Sequence, residues 1–217
     1  PALVKFLIKK LCPDLSSKIV ALNSPVYSVA FSPDSKWLAT GLGIGGAQLG
    51  AQIWNVSDGT MVRDLNINSP VWSVAFSPDS KFLATGSGDT AQIWNVSDGT
   101  MMRDLNINST VRSVAFSPNG LWLATGSTGS TIRAQIWNVS DGTMVLDLNM
   151  NIVVDGVAFS PDSQWLAIAS TRTVQIWNVS DGTLVRDLNI NSPVFSIAFS
   201  PDSKLLAIGS EKVLSNG

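Results

Sequence analysis

The sequence predicts an all-β fold, a β-propeller of about five four-stranded antiparallel blades, on three observations. The eight residues IWNVSDGT occur four times, beginning at Ile53, Ile93, Ile136 and Ile176. The phenylalanine of a second motif, [VI]AFSP, falls at Phe31, Phe76, Phe116, Phe159 and Phe199, at separations of 45, 40, 43 and 40 residues, the period of a propeller blade. Apolar residues come in short runs broken by Ser, Asp, Gly and Pro, with the alternation of strands.

Each repeat divides into four strands. VxSVAFS alternates and makes the innermost strand, and SPDS then supplies turn-forming Pro, Asp and Ser. LATGS and AQIWNV follow as the second and third strands, and the Asp-Gly pair of SDGT suits a tight hairpin into the fourth, MVRDLNI. Trp37, Phe82, Trp122, Trp165 and Leu205 recur after the SPDS turns and are expected as wedges between blades. Both tight turns lie at one end of the strands. The opposite rim carries the second-to-third-strand connections, which read GLGIGGAQLG, GSGDT, GSTGSTIR, ASTRT and GSEK.

The chain reads as one domain, with repeats at about 23–67, 68–107, 108–150, 151–190 and 191–217. The last repeat stops before its own IWN. In the register of the repeats, KFLIKKL takes the place of a third strand and KIVALN of a fourth. Residues 1–22 are therefore expected to complete the blade begun by residues 194–210 and so to close the ring. The competing reading makes residues 3–11 an amphipathic helix capping an incomplete ring.

The pattern VxSVAFSPDSKxLATGS…IWN resembles the WD-repeat family over nearly the whole chain. The resemblance implies blades stacked around a central channel and a scaffold for proteins or peptides. There are departures. The family's Trp-Asp pair is Trp-Asn at Trp54, Trp94, Trp137 and Trp177, and its Gly-His pair is absent because the chain has no histidine. Only Asp89 matches the family's turn aspartate, so blade packing is expected to rest mainly on apolar burial.

Composition narrows the function. Fourteen basic against sixteen acidic residues, with no basic run beyond Lys9-Lys10, argue against nucleic acid. No apolar run is long enough to span a membrane, and LVKFLIKKL is interrupted by lysines, unlike a secretion signal. Without histidine, and with one cysteine, nucleophilic triads and ordinary zinc sites are not expected; neither is a cofactor, and the chain reads as a non-enzyme. Cys12, without a secretion signal, suggests a reduced thiol in the cytoplasm.

Several repeated features have plain structural readings. Asp34, Asp79, Asp162 and Asp202 are turn formers. The sequons at Asn55, its three copies and Asn108 reflect a copied repeat rather than glycosylation. Arg63-Asp64, Arg103-Asp104 and Arg186-Asp187 charge an outer edge against strand addition. GLGIGGAQLG has no following P-loop lysine and reads as a flexible loop.

Where blades differ, residues are free for another task. Between Val and Ser or Gly at the start of the innermost strands stand Tyr27, Trp72, Arg112, Asp155 and Phe195, expected as a ring at the channel mouth on the variable rim. Arg133 and Arg172 are expected to frame it with charge. The leading expectation is a protein- or peptide-binding scaffold, against a reading in which the aromatics merely fill gaps between blades. The alternatives are a multivalent carbohydrate-binding propeller, or a self-assembling scaffold whose near-identical blades exchange between chains.

Overall fold

In the computed structural model, residues 4–8, 18–46, 48–129, 131–150 and 152–211 are described. Every regular element among them is a strand. Four sheets have four antiparallel strands each, in sequence order. The first runs β3 (Val26–Phe31), β4 (Trp37–Leu42), β5 (Gly50–Asn55) and β6 (Met61–Leu65). The second runs β7 (Val71–Phe76), β8 (Phe82–Ser87), β9 (Thr90–Asn95) and β10 (Met101–Asn106). The third runs β11 (Thr110–Phe116), β12 (Trp122–Thr128), β13 (Arg133–Asn138) and β14 (Met144–Asn149). The fourth runs β15 (Val154–Phe159), β16 (Trp165–Ser170), β17 (Thr173–Asn178) and β18 (Leu184–Asn189). Two two-stranded sheets, β1 (Val4–Ile8) with β2 (Lys18–Leu22) and β19 (Val194–Phe199) with β20 (Leu206–Ser210), bring the strand complement to that of five blades.

Residues 4–8 are a strand, which overturns the helical reading of that stretch. The expected joining of β20 to β1 is not among the ladders of the described residues: β1 pairs with β2, and β20 with β19. Cys12 and Lys9-Lys10 lie outside the described residues.

The turns explain their own sequences. Ser32 Oγ donates to Asp34 Oδ1 at 2.7 Å and accepts from the Trp37 amide at 2.9 Å, and Asp34 Oδ1 also accepts from the Lys36 amide. The last residue of SPDS has left-handed backbone, at φ of 60–62° for Ser35, Ser80, Ser163 and Ser203, and the third repeat puts Gly120 there. In IWNVSDGT, Asn55 Oδ1 accepts from the amide and hydroxyl of Ser57, and Asn95, Asn138 and Asn178 repeat the arrangement. The Asn of each repeated sequon is thus a turn residue.

The cores lie between blades. Ala39, Ala51 and Ile53 of the first blade pack with Val71, Val74, Phe76 and Leu83 of the second, with Trp37 against them, as the wedge reading expects. Leu205, at the same repeat position in the final hairpin, is 71% exposed instead. Burying a side chain of this size is worth roughly 1.5–3 kcal/mol, so these seams dominate the stability. They are not purely apolar. Trp54, Trp94 and Trp137 donate from Nε1 to Thr40, Thr85 and Thr125 at 3.1–3.2 Å, a buried bond that survives the missing histidine and aspartate. The fourth blade has Ile168 at the threonine position, and Trp177 bonds Gln175 instead.

Arg63 and Arg103 do more than charge an outer edge. Each donates from Nη2 to a backbone carbonyl in the next blade, that of Ser97 and Ser140 respectively. The glycines of those SDGT turns make room, since a Cβ at Gly99 or Gly142 would meet the arginine stem at 3.0 Å.

Candidate functional site

The five variable residues share a backbone feature that the sequence does not display. The ladder between the first two strands of each blade shifts register between Val26 and Ser28, Val71 and Ser73, Val111 and Ser113, Val154 and Gly156, and Val194 and Ser196. Tyr27, Trp72, Arg112, Asp155 and Phe195 are the residues skipped. A bulge releases its residue from cross-strand pairing and re-aims its side chain, so this position can change without disturbing the sheet.

Four of the five come together. Tyr27, Trp72, Arg112 and Asp155, with Val26, line an open cleft of about 460 Å³. The rings of Tyr27 and Trp72 stack with centroids 4.7 Å apart and planes 18° from parallel. The Arg112 guanidinium lies 4.2 Å from the Trp72 ring centroid, a cation–π contact. Strand β7 lies between β3 and β11, so Trp72 is flanked by Tyr27 from one neighbouring blade and by Arg112 from the other. Burial pushes the Asp155 carboxyl above the ordinary carboxylate range, and the nearby Arg112 charge pulls the other way. Among the described residues, neither the Arg112 guanidinium nor the Asp155 carboxylate makes a hydrogen bond or a close ion pair. The aromatics do not simply fill a seam: Tyr27 is 41% exposed.

The remaining three expected residues stand apart from this cleft. Phe195 sits at the equivalent bulge but outside the lining, 74% exposed. Arg133 is the first residue of β13 and is paired with Asp147 on β14, toward the outer strand. Arg172 is exposed in the turn between β16 and β17, where its carbonyl accepts from the Ile190 amide. The charged frame is thus supplied by Arg112 and Asp155 themselves.

The glycine-rich loop is anchored at two points. The Gly43 amide donates to the Pro25 carbonyl at 2.7 Å, and the Gln48 amide to Ser24 Oγ at 2.9 Å. A Cβ at Gly43 would lie 2.3–2.5 Å from the Tyr27 ring, so only glycine lets that ring lie across the loop. Gly43 is a positioning residue that sequence reasoning missed.

Two further grooves, of about 350 and 580 Å³, lie between neighbouring blades at the turn rim, walled by Trp122, Asn138 and Val139, and by Trp122, Asn178 and Val179. Asn138 and Val139 recur in every IWNV copy; Tyr27, Trp72, Arg112 and Asp155 differ from blade to blade. Among the described residues no three His, Cys, Asp or Glu side chains gather as for a metal, and no helix is long and apolar enough to cross a membrane.

Comparison with known proteins matches this architecture. The family model for the WD domain, G-beta repeat, matches residues 17–48, 59–95, 99–134, 149–178 and 182–214. No curated protein matches. Among solved structures, Kuenenia stuttgartiensis hydrazine synthase superposes over 91% of this chain with a TM-score of 0.76 at 16% identity. This chain spans 60% of the length of that one, and the likeness is one of fold.

Proposed function

From the premise that the chain belongs to the WD-repeat family, we propose that it is a non-enzymatic protein- or peptide-binding scaffold whose contact surface is the bulge cleft on the variable rim. The observation that carries this reading is the Tyr27–Trp72–Arg112 stack beside Asp155: an ordered aromatic and guanidinium platform with unused hydrogen-bonding capacity. Trp, Tyr and Arg dominate binding energy at protein interfaces, and stacking fixes the Arg112 fork before a ligand arrives, which lowers the entropy lost on binding. The fork suits a peptide carboxylate, and Asp155 suits an amide or ammonium donor beside it.

Carbohydrate binding finds less support at this cleft. A sugar needs an open aromatic face, and Trp72 is already flanked by Tyr27 and Arg112.

The test replaces Trp72 and Arg112 together with Ala and measures thermal unfolding beside capture from a displayed peptide library and a glycan array. The reading expects peptide capture to fall at least tenfold, as for hot-spot pairs, with a melting temperature within a few degrees of the parent. Peptide capture retained by the double variant, or capture of glycans alone, would sink it.

A further inference from the structure

At the turn rim the same bond crosses three seams between successive blades. The amides of Asp34, Asn119 and Asp162 donate to the hydroxyls of Ser80, Ser163 and Ser203 in the next blade, all at 3.1 Å. The seam between the second and third blades lacks it. Its serine position is Gly120, so the Asp79 amide has no acceptor among the described residues.

That seam holds the groove of about 350 Å³, and several of its lining residues depart from the repeat. Phe82 stands where the first, third and fourth blades have tryptophan, and Met102 where they have Val62, Val145 and Val185. Gly120 replaces a serine, and Leu121 replaces the Lys36, Lys81, Gln164 and Lys204 of the other turns. Changes from two different blades thus meet in one place, as the variable residues do at the bulge cleft. The groove of the next seam keeps the repeat: Ser163 and Gln164 line it, and the Ser163 hydroxyl is taken by the Asn119 amide.

The changes leave the third turn intact. Asn119 Oδ1 accepts from Ser117 Oγ at 2.7 Å and from the Leu121 amide at 3.0 Å, and Gly120 keeps the left-handed backbone at φ 72°. What they alter is the surface. A Cβ at Gly120 would meet nothing within 4 Å, so the space that a serine side chain takes in the other seams stands open. Leu121 is 56% exposed and Met102 41%. The Asp–Lys ion pairs of the first, second and fifth turns have no counterpart here, because Asn119 and Leu121 replace both partners. Arg103, the charged residue of the lining, donates from Nη1 to the Met102 carbonyl and from Nη2 to the Ser140 carbonyl. The groove therefore offers an apolar wall without a free charge, and one backbone donor beside Gly120.

We propose that this groove is a second binding site, for a small neutral molecule with an apolar ring and one hydroxyl or carbonyl oxygen. The ring lies on Leu121 and Met102, whose flexible thioether adapts to an aromatic edge. The oxygen accepts from the Asp79 amide, at the place where the other seams put a serine hydroxyl. A charged ligand would give up its hydration here with no partner in return. The volume is that of a small-molecule site. The site lies at the rim opposite the bulge cleft and is independent of it.

Met102 is one of five methionines, so isotopic labelling of their methyl groups gives a magnetic-resonance readout in which the others are controls. Titration with benzyl alcohol is expected to move the Met102 methyl and the Asp79 amide resonances together, to saturation. Gly120→Ser restores the repeat and should weaken binding about tenfold or more, because its side chain takes both the space and the donor. Leu121→Lys, which restores the charged edge, takes its place if Gly120→Ser does not fold, judged by circular dichroism. The Trp72→Ala, Arg112→Ala double variant should titrate like the parent, which separates this site from the cleft. Either resonance unmoved, or a restored turn that binds as the parent does, overturns the proposal. So does tighter binding of N-acetylphenylalanine amide than of benzyl alcohol, the mark of a peptide site. A Met102 shift on raising the protein concentration alone, the mark of a second copy in the groove, overturns it as well.

Discussion

The two rims differ in how fully their polar groups are used. At the turn rim, aspartates are bonded within their own turns, and serine hydroxyls are bonded within their own turn or to the amide of the neighbouring blade. Asp98 and Asp141 are held below the ordinary carboxylate range first by the amides and then by the hydroxyls of Thr100 and Thr143. Asp34, Asp162 and Asp202 are lowered chiefly by the serine hydroxyl two residues earlier. At the variable rim, Arg112 and Asp155 face each other across a cleft with neither bonded, and burial moves Asp155 the opposite way. A polar group satisfied inside its own turn has little left for a partner, and one aimed into a cleft by a bulge has its full capacity to give. Repetition and chemical saturation mark scaffold; variation and unsatisfied polar groups mark the proposed contact surface.

The strongest way to break this contrast acts on the saturated rim. Ser77 is buried, donates to Asp79 at 2.7 Å and accepts from the Phe82 amide at 2.9 Å. Ser77→Ala should cost about 1–3 kcal/mol, the penalty for stranding the partly buried Phe82 amide, with ligand capture unchanged. Denaturant unfolding measures the first and the peptide library the second. A loss of capture at full stability would place binding on the wrong rim.

A smaller effect is expected from Gly43→Val, which puts a side chain where the Tyr27 ring lies. The Tyr27–Trp72 stack should open, at a cost of about 0.5–1.5 kcal/mol, with a shift in tryptophan fluorescence and weaker capture. Unchanged fluorescence and capture would show that the loop does not set the cleft.

The smallest effect separates the rims by acid. The turn aspartates have depressed values in the fold, so their stabilisation is present above the unfolded carboxylate value of about 4 and is lost as pH falls through the folded values. Asp155 is raised, so its contribution is a penalty at neutral pH that is relieved as pH falls through its folded value. Asp155→Asn should therefore raise the melting temperature slightly at pH 7, and the difference from the parent should vanish in acid. A difference that grows in acid would reverse the assignment.

Much of the fold was legible because each strand, turn and wedge is specified locally and copied. Alternation marks VWSVAF as a strand, and Pro, Asp and the left-handed serine mark the turns, wherever the blade sits. Tyr27, Trp72, Arg112 and Asp155 of the cleft stood out in the sequence, with Phe195, as variation against repetition. Its mechanism was not, because a bulge is a mismatch between two strands and appears in neither alone. Contacts distant in sequence were hidden for the same reason. The anchors of the glycine-rich loop, Ser24 and Pro25, belong to the preceding segment, and Arg63 reads as an edge charge because the Ser97 carbonyl is 34 residues away.

The sequence by itself determined the blade, the number of its copies and the rim at which they differ. Those depend on local periodicity and turn chemistry, which each short segment carries within itself. Only the tertiary structure decided which variable side chains meet, and that Phe195, Arg133 and Arg172 stand outside the cleft. Those depend on the rotation between blades, which accumulates across every seam and is encoded in no single repeat.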